Sequence, residues 1–300
     1  MHVLVTGANG HLGSQLVPAL VARGHRVRAS VRDPSDAAKA GPLQAAGAEV
    51  VAGDLGQPAQ LRAAMEGVDT VFHLAAVYSY LGPADEILRA AVEGSQVALR
   101  AAADARVRKV VLTSSAVTLP MKAPGEPAST EEDWATDLRV PYIRAKVQAE
   151  QQAWTLAREL GLNLVTLLPG GIEGPGFRRP TPSIDVIMAI AGNAFRMGCP
   201  DTNFPYVDVR DVVDGHIAAA EQDAQGRFIL INDELPSFRT LVETLHRIDP
   251  SVKRPLMMLP EFMAPTLPFF DWLNHQTLGT PRAGSPELLA TLRGKRWSAS

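Results

Sequence analysis

The chain predicts a doubly wound α/β fold, a parallel (Rossmann) sheet carrying a smaller irregular lobe toward its C-terminal end. Three observations predict it. Short β-branched runs alternate with helical patterns six times over residues 1–168. A glycine-rich turn joins the first run to the first helical pattern. From Pro169 the alternation gives way to a Gly- and Pro-rich stretch, PGGIEGPGFRRPTP.

The expected strands are residues 2–5, 26–31, 49–52, 70–74, 109–113 and 163–168. Each is short and apolar at nearly every position, as a strand buried on both faces must be. Between them, residues 11–23 place Leu12, Leu16, Val17 and Leu20 at helical spacing, and Gly24 follows as a stop. Residues 61–65, 86–105 and 142–160 read as helices in the same way. In the second half, a helix over 209–221, a strand over 227–231 and a helix over 238–247 are expected. The remainder, through LPEFMAPTLPFFDWL, is apolar, aromatic and broken by prolines. Residues 1–168 are therefore assigned to a sheet domain. Residues 169–300 are assigned mostly to a second lobe, with about 209–232 returning to the first.

Composition limits the function. Of 300 residues, 46% are hydrophobic and 20% charged, which suits a large core and argues against disorder. Twenty-nine basic and 32 acidic residues give a net charge of -3, so there is no electrostatic case for a nucleic-acid partner. Cys199 is the only cysteine, which rules out an intrachain disulfide and a multi-thiolate zinc site. No His/Asp/Glu cluster has metal-ligand spacing, so no metal is expected. The opening MHVLVTGANG leaves no room for a secretory signal. No run reaches the roughly 18 apolar residues a membrane span needs. A cytoplasmic setting, a small-molecule partner and no membrane partner are expected.

Residues Thr6-Gly7-Ala8-Asn9-Gly10-His11-Leu12-Gly13 lie between strand and helix. Gly7 allows a tight turn, Gly10 lets backbone approach a pyrophosphate, and Gly13 lets the helix sit close to the sheet. The helix N-terminus then offers free N–H groups and its positive dipole end to the phosphates. At the end of the second strand, Arg32 stands where a guanidinium would clamp a 2′-phosphate, with Lys39 as a second charge. NADP is the expected cofactor, although Asp33 beside Arg32 offers a carboxylate for an NAD ribose. Asp54, in Gly53-Asp54-Leu55, reads either as an acceptor for the adenine amino group or as a loop cap.

Tyr142 and Lys146 are four residues apart, so phenol and amine share one helix face. A free tyrosine has a pKa of about 10, and a nearby ammonium lowers it toward working pH. The fifth strand ends in Thr113-Ser114-Ser115. Hydroxyls there lie where doubly wound folds place ligands. One serine would hold a substrate carbonyl while Tyr142 gives up its proton; alternation leaves the other to cap the loop.

These residues together resemble an extended short-chain dehydrogenase/reductase, in the dihydroflavonol-4-reductase-like branch of the NAD-dependent epimerase/dehydratase family. The motifs TGANGHLG, VRASVRDP, GDL, VFHLAA, VLTSSA, YIRAK, LLPGGIEGPG and YVDVRDVVDGHIAAAE occur in family order over roughly residues 1–235. The resemblance implies Ser115 as the catalytic serine, Tyr142 as acid/base and Lys146 as its partner. It implies 2′-phosphate contacts from Arg32 and Lys39, with Pro169 to Ile172 lying along the nicotinamide. The expected cofactor-binding residues are Gly7, Asn9, Gly10, His11, Leu12, Gly13, Arg32, Lys39, Asp54, Leu55, Leu74, Ala75, Ala76, Thr113, Tyr142, Lys146, Pro169, Gly171 and Ile172. A homodimer through the helices over 86–105 and 142–160 is also implied.

The chain departs from the family pattern in places. Ala91 replaces the asparagine that commonly supports the proton relay, and Ala145 replaces the serine before the lysine. Pro120 stands where plant flavonoid reductases carry a polar substrate contact. The sequence stops at Ser300, where relatives often continue with another helix, so either a truncated chain or a shortened tail is expected. His73 and His216 read as structural histidines, while Tyr78 and Tyr80 read as entrance lining or loop filler. The stretch Phe262, Met263, Leu267, Phe269, Phe270 and Trp272 reads as core of the small lobe, a lid or a subunit contact.

The expected activity is NADP-dependent hydride transfer between the nicotinamide and a carbonyl or alcohol group of a small apolar or aromatic molecule. The alternatives are a nucleotide-sugar epimerase or dehydratase with tightly bound NAD, and a non-catalytic NADP-sensing regulator.

Overall fold

A computed structural model describes residues 1–75, 83–123, 125–176, 181–200, 202–259 and 266–279. Ala76, Tyr78, Tyr80, Phe262 and Met263 lie outside the described residues, as do the side chains of Leu267 and Phe270.

The first half alternates as its pattern dictates. It runs β1 (His2–Thr6), α1 (His11–Ala22), β2 (Arg26–Val31), α2 (Ala37–Ala45), β3 (Glu49–Ala52), α3 (Pro58–Met65), β4 (Thr70–His73), α4 (Ala84–Asp104) and β5 (Lys109–Thr113). A 3-10 turn over Ala116–Thr118 comes next, then α5 (Pro141–Leu160) and β6 (Asn163–Pro169). Helix α3 starts three residues earlier than the apolar pattern shows, because Pro58 sits in its first turn, where a missing N–H costs nothing. Gly161 ends α5 in the left-handed conformation at φ 65.

The second half holds β7 (Gly171–Glu173), α6 (Pro182–Ala191), β8 (Cys199–Pro200), β9 (Tyr206–Asp208), α7 (Val209–Glu221), β10 (Gly226–Leu230), α8 (Phe238–Ile248), β11 (Met258–Leu259) and α9 (Leu267–Leu278). Helix α6 lies in the stretch read as irregular. Its start signal was present: Thr181 accepts a hydrogen bond from the Ile184 N–H, and Pro182 opens the first turn.

Seven strands form one parallel sheet in the order β10-β6-β5-β4-β1-β2-β3. The order reverses at β1, where β4 joins on the side opposite β2, so the carboxyl ends of β1 and β4 flank a crevice. Helices cover both faces. On one, Leu12, Leu16, Val17 and Leu20 of α1 meet Val212, Val213 and Ile217 of α7 over Val3, Val5 and Phe72. On the other, Leu61 and Met65 of α3, Ala98 and Leu99 of α4, and Ala153 and Leu156 of α5 pack over Leu4, Val71 and Val110. A separate apolar cluster joins α6 to α8 through Val186, Ile190, Cys199, Phe238 and Val242. No helix among the described residues is long and apolar enough to cross a membrane.

Two close contacts anchor the sheet to the second half of the chain. Lys109, at the start of β5, is 2% exposed and donates from Nζ to the carbonyls of Ala219 and Gln222. A cation there meets the negative end of α7 and satisfies its terminal carbonyls. At the far end of β6 the chain crosses residues 204–205 at close range. The Gly171 N–H donates to the Pro205 carbonyl at 2.6 Å. A Cβ on Gly170 would fall 2.0 Å from the Pro205 oxygen, a backbone atom that no rotamer change can move.

Gly170→Ala is therefore expected to lower the unfolding free energy by at least about 1–3 kcal/mol, the range for overpacking. Gly41→Ala, which meets nothing within 4 Å, is the control. Urea titration of the two variants measures the difference.

Candidate active site

Parallel strands end at one edge, and the helices that succeed them start there. The turn after β1, the ends of β4 and β5, the first turn of α5 and the β6–β7 connection are thus neighbours by topology.

The turn after β1 is closed by the Gly10 N–H donating to the Gly7 carbonyl at 3.0 Å. Gly7 has φ +67, and a Cβ there would press on the Ala75 backbone. At Gly13 a Cβ would lie 2.5 Å from the Gly7 oxygen and 2.7 Å from the Ala8 Cα. Helix α1 has no side-chain cap and no acidic residue in its first turn. By contrast, α2, α6, α7 and α8 are capped by Asp36, Thr181, Asp208 and Ser237. An uncapped N-terminus behind side-chain-free backbone fits a pyrophosphate, since orphan N–H groups and the dipole both favour an anion. Asn9 and His11 are half-buried beside it, and Leu12 is buried. The His11 ring contacts the Pro175 carbonyl at 3.1 Å through Nε2.

At the end of β2, Arg32 is exposed. Lys39 forms an ion pair with Asp36 at 2.5 Å, and Asp33 is engaged by the Ser35 hydroxyl and N–H. Those hydrogen bonds hold the Asp33 carboxyl below the usual carboxylate range. After β3, Asp54 accepts from the Gly56 N–H at 2.9 Å, so it does cap its loop through one oxygen. Leu55 packs among the α3–α4 core residues, and a Cβ on Gly94 would touch it.

At the end of β4, His73 is 2% exposed. Its Nδ1 bonds the Thr6 hydroxyl at 2.8 Å, and that hydroxyl also accepts from the Ala75 N–H. Its Nε2 has no hydrogen-bond partner among the described residues. Burial first, and Lys146 second, push His73 down to about 4, so it is neutral at working pH. Leu74 and Ala75 are half-buried. Thr113, expected at the cofactor, has its hydroxyl 2.8 Å from Nε2 of His216. The His216 Nδ1 donates to the Val212 carbonyl, so Nε2 accepts from Thr113.

The two serines after β5 differ. Ser114 is buried and donates to Glu150 at 2.5 Å. Ser115 is half-buried, and among the described residues its oxygen takes only a long 3.4 Å bond from the Val117 N–H. On α5, Tyr142 is 3% exposed, among Val140, Ile143 and Val147, with Val117 and Trp134 alongside. The Lys146 Nζ lies 6.0 Å from the Tyr142 ring centroid. Burial draws Lys146 down to about 8, while Glu150 one turn on pulls it the other way.

Sequence reasoning missed three side chains. Glu150, 2% exposed, accepts from Ser114, Thr166 and Nε of Arg227. Arg227 stacks over Trp134, its guanidinium carbon 3.7 Å from the ring centroid. The spacing Tyr142, Lys146, Glu150 put all three on one face, a legible signal. Glu173, beyond Ile172, is pushed up to about 8 by burial, and its Oε1 has no partner among the described residues. Nothing in its local sequence distinguishes it from a solvated carboxylate. Beside it, Gly171 lies against the Phe204 ring, which packs with Tyr206 and Phe238. Among the described residues, no three His, Cys, Asp or Glu side chains are grouped to hold a metal ion.

The profile of the NAD dependent epimerase/dehydratase family matches residues 3–231. "Sterol demethylase protein B" of Methylococcus capsulatus is 31% identical over 306 residues, covering 100% of this chain and 91% of that protein. Dihydroflavonol 4-reductase of Zea mays is 37% identical over 211 residues, 64% of this chain and 59% of its own length. The crystal structure of gox2253 superimposes with a TM-score of 0.82 at 30% identity, covering 100% of this chain and 89% of that one.

Burial holds His73 and His216 near 4, below the ordinary 6.5. The unfolded chain takes up protons on both as the pH falls through 6.5, whereas the native chain does not until about 4. Stability present above pH 6.5 should therefore fall progressively toward pH 4. The urea midpoint is expected to drop between pH 7 and pH 5, and His216→Gln should flatten that drop.

Proposed function

The chain belongs to the NAD dependent epimerase/dehydratase family, and from that premise we propose that it is an NADP-dependent oxidoreductase. It moves a hydride between the nicotinamide and a carbonyl or alcohol carbon of a small apolar or aromatic molecule. The observation that carries this reading is the pairing of a buried phenol, Tyr142, with a half-buried amine, Lys146, at the edge where β5 delivers Ser115.

In this reading the backbone of Gly7, Gly10 and Gly13 and the N-terminus of α1 hold the pyrophosphate. Arg32 and Lys39 hold the 2′-phosphate, Asp54 offers its second oxygen to the adenine, and Leu74 and Ala75 border the ribose. Pro169, Gly171 and Ile172 lie along the nicotinamide. The bound dinucleotide supplies or takes up the hydride. Ser115, whose hydroxyl proton is not committed to the loop, donates a hydrogen bond to the substrate oxygen. Tyr142 gives that oxygen its proton in reduction and removes it in oxidation. The Lys146 ammonium stabilises the phenolate, bringing a group with an ordinary pKa of about 10 toward neutral pH.

The aromatic group Phe204, Tyr206 and Phe238 against Gly171 supports an apolar or aromatic substrate. So do the names of two relatives, which refer to a sterol and a dihydroflavonol. Dihydroflavonol itself is not proposed, because Pro120 occupies the place of the flavonoid reductases' polar contact.

Oxidation of NADPH against a panel of apolar ketones and aldehydes tests the proposal. Tyr142→Phe should lower turnover by about 10²–10⁴ while leaving dinucleotide affinity in place. An unchanged rate refutes the assignment. Arg32→Ala should weaken NADPH binding by roughly tenfold or more, the loss of a charged hydrogen bond, and leave NADH binding alone. Equal affinity of the native chain for both dinucleotides, measured by calorimetry, overturns the NADP preference. Stoichiometric NAD retained through purification, with no turnover on the panel, favours a nucleotide-sugar epimerase instead.

A further inference from the structure

The ion pair between Glu150 and Arg227 is enclosed. The side chains are 1% and 8% exposed, and Nε lies 2.9 Å from Oε1. Buried pairs of this kind are weak contributors to stability, since both ions give up hydration. What distinguishes this one is the set of segments it ties together. Glu150 lies one turn beyond Lys146 on α5 and holds Ser114, the residue before Ser115, at 2.5 Å. It also takes the Thr166 hydroxyl of β6 at 2.9 Å. Arg227, on the neighbouring strand β10, donates to the carbonyls of Glu131 and Asp133 at 2.5 and 2.8 Å and to the Thr118 hydroxyl at 3.0 Å. Its guanidinium lies over Trp134, which packs with Tyr142. Every segment that presents an expected catalytic group therefore has a bond to this pair: the serine turn, the loop leading into α5, and α5 itself.

We propose that the Glu150–Arg227 pair is the positioning element that sets Ser115, Tyr142 and Lys146 relative to one another, with Glu150 also serving as the counter-charge to the Lys146 amine. This rests on the reading of Ser115, Tyr142 and Lys146 given above. Glu150 touches no reacting atom and acts through Lys146 and Ser114. The other groups around Lys146 do not supply that charge. Tyr142 precedes it on α5, and His73 on β4 is neutral. Arg227 is positive and committed to Glu150. On α4, which packs against α5, Asp85, Glu86, Arg89, Glu93 and Arg100 are all exposed.

The test is the double variant Glu150→Met with Arg227→Met, which removes both charges together so that neither is buried alone. Turnover is expected to fall by about tenfold or more with NADPH affinity kept, because the phosphate turn does not contact the pair, while the thermal midpoint falls as Ser114, Thr118, Thr166 and the Glu131 and Asp133 carbonyls lose their partners. An independent readout is the pH dependence of Lys146 labelling by trinitrobenzenesulfonate, followed by peptide mass spectrometry. Its midpoint should move to lower pH in Glu150→Gln, where the amine loses its neighbouring carboxylate while the Arg227 guanidinium stays. An unmoved midpoint overturns the proposal, as does unchanged turnover. If the native chain turns over no carbonyl yet the Lys146 midpoint still shifts in Glu150→Gln, the oxidoreductase reading falls and the positioning of Lys146 stands. Should the double variant not fold, Arg227→Lys keeps the charge but loses the fork to Thr118 and the loop carbonyls. Turnover should then fall with the Lys146 midpoint in place, and an unchanged rate overturns the proposal.

Discussion

Everything at the candidate site depends on seven strands running the same way. A parallel sheet cannot be closed by tight hairpins, so each strand must hand over to a helix that returns along a face. Each handover occurs at the carboxyl edge. There the chain has backbone groups that the ladder no longer satisfies, and helix starts whose N–H groups need acceptors. The reversal of strand order at β1 opens a gap in that edge between β1 and β4. Gly7, His73, Ser115 and Tyr142 are far apart in sequence, yet all lie along that edge, because there their strands end and their helices begin.

The edge is kept tight by atoms that leave no room for substitution. The Gly13 and Gly170 positions bring backbone against backbone at distances that exclude even a methyl group. Around them, polar groups removed from water are matched in sets: Thr6 with His73 and the Ala75 amide, Thr113 with His216 and Val212, Ser114 and Thr166 with Glu150. Such matched sets specify one arrangement, because a shifted side chain would strand a partner without water.

The sheet and most of its helices were legible because buried parallel strands have a plain signature, a short β-branched run, and because Gly24 marks the end of a helix. The turn after β1 was legible because its glycines do work no other residue can do: Gly7 has φ +67, and a Cβ on Gly13 would meet the Gly7 and Ala8 backbone. The second half was harder to read. Strands β7, β8, β9 and β11 have two or three residues each and are defined by partners distant in the chain, which no local pattern reveals. Residue type and position alone did not tell Ser114 from Ser115, and only the family resemblance pointed to Ser115; in the structure Ser114 is the one that meets Glu150. Arg227 and Glu173 depend on enclosure by segments that fold around them, so nothing adjacent in the chain announces either.

One small feature at the end of β2 bears on how this family of turns changes allegiance. Lys39 is already held by Asp36, a carboxylate three residues before it. If the 2′-phosphate proposed above binds there, it meets a cation already engaged and displaces the Asp36 carboxylate. The benefit is the difference between two attractions, and the resident's strength sets the threshold. On that proposal, exchanging Asp36 for a neutral residue would raise the reward for a phosphorylated ribose, at the cost of the α2 cap that Asp36 supplies. On the proposed reading, selectivity at this turn would drift through the competitor while the receptor stays the same.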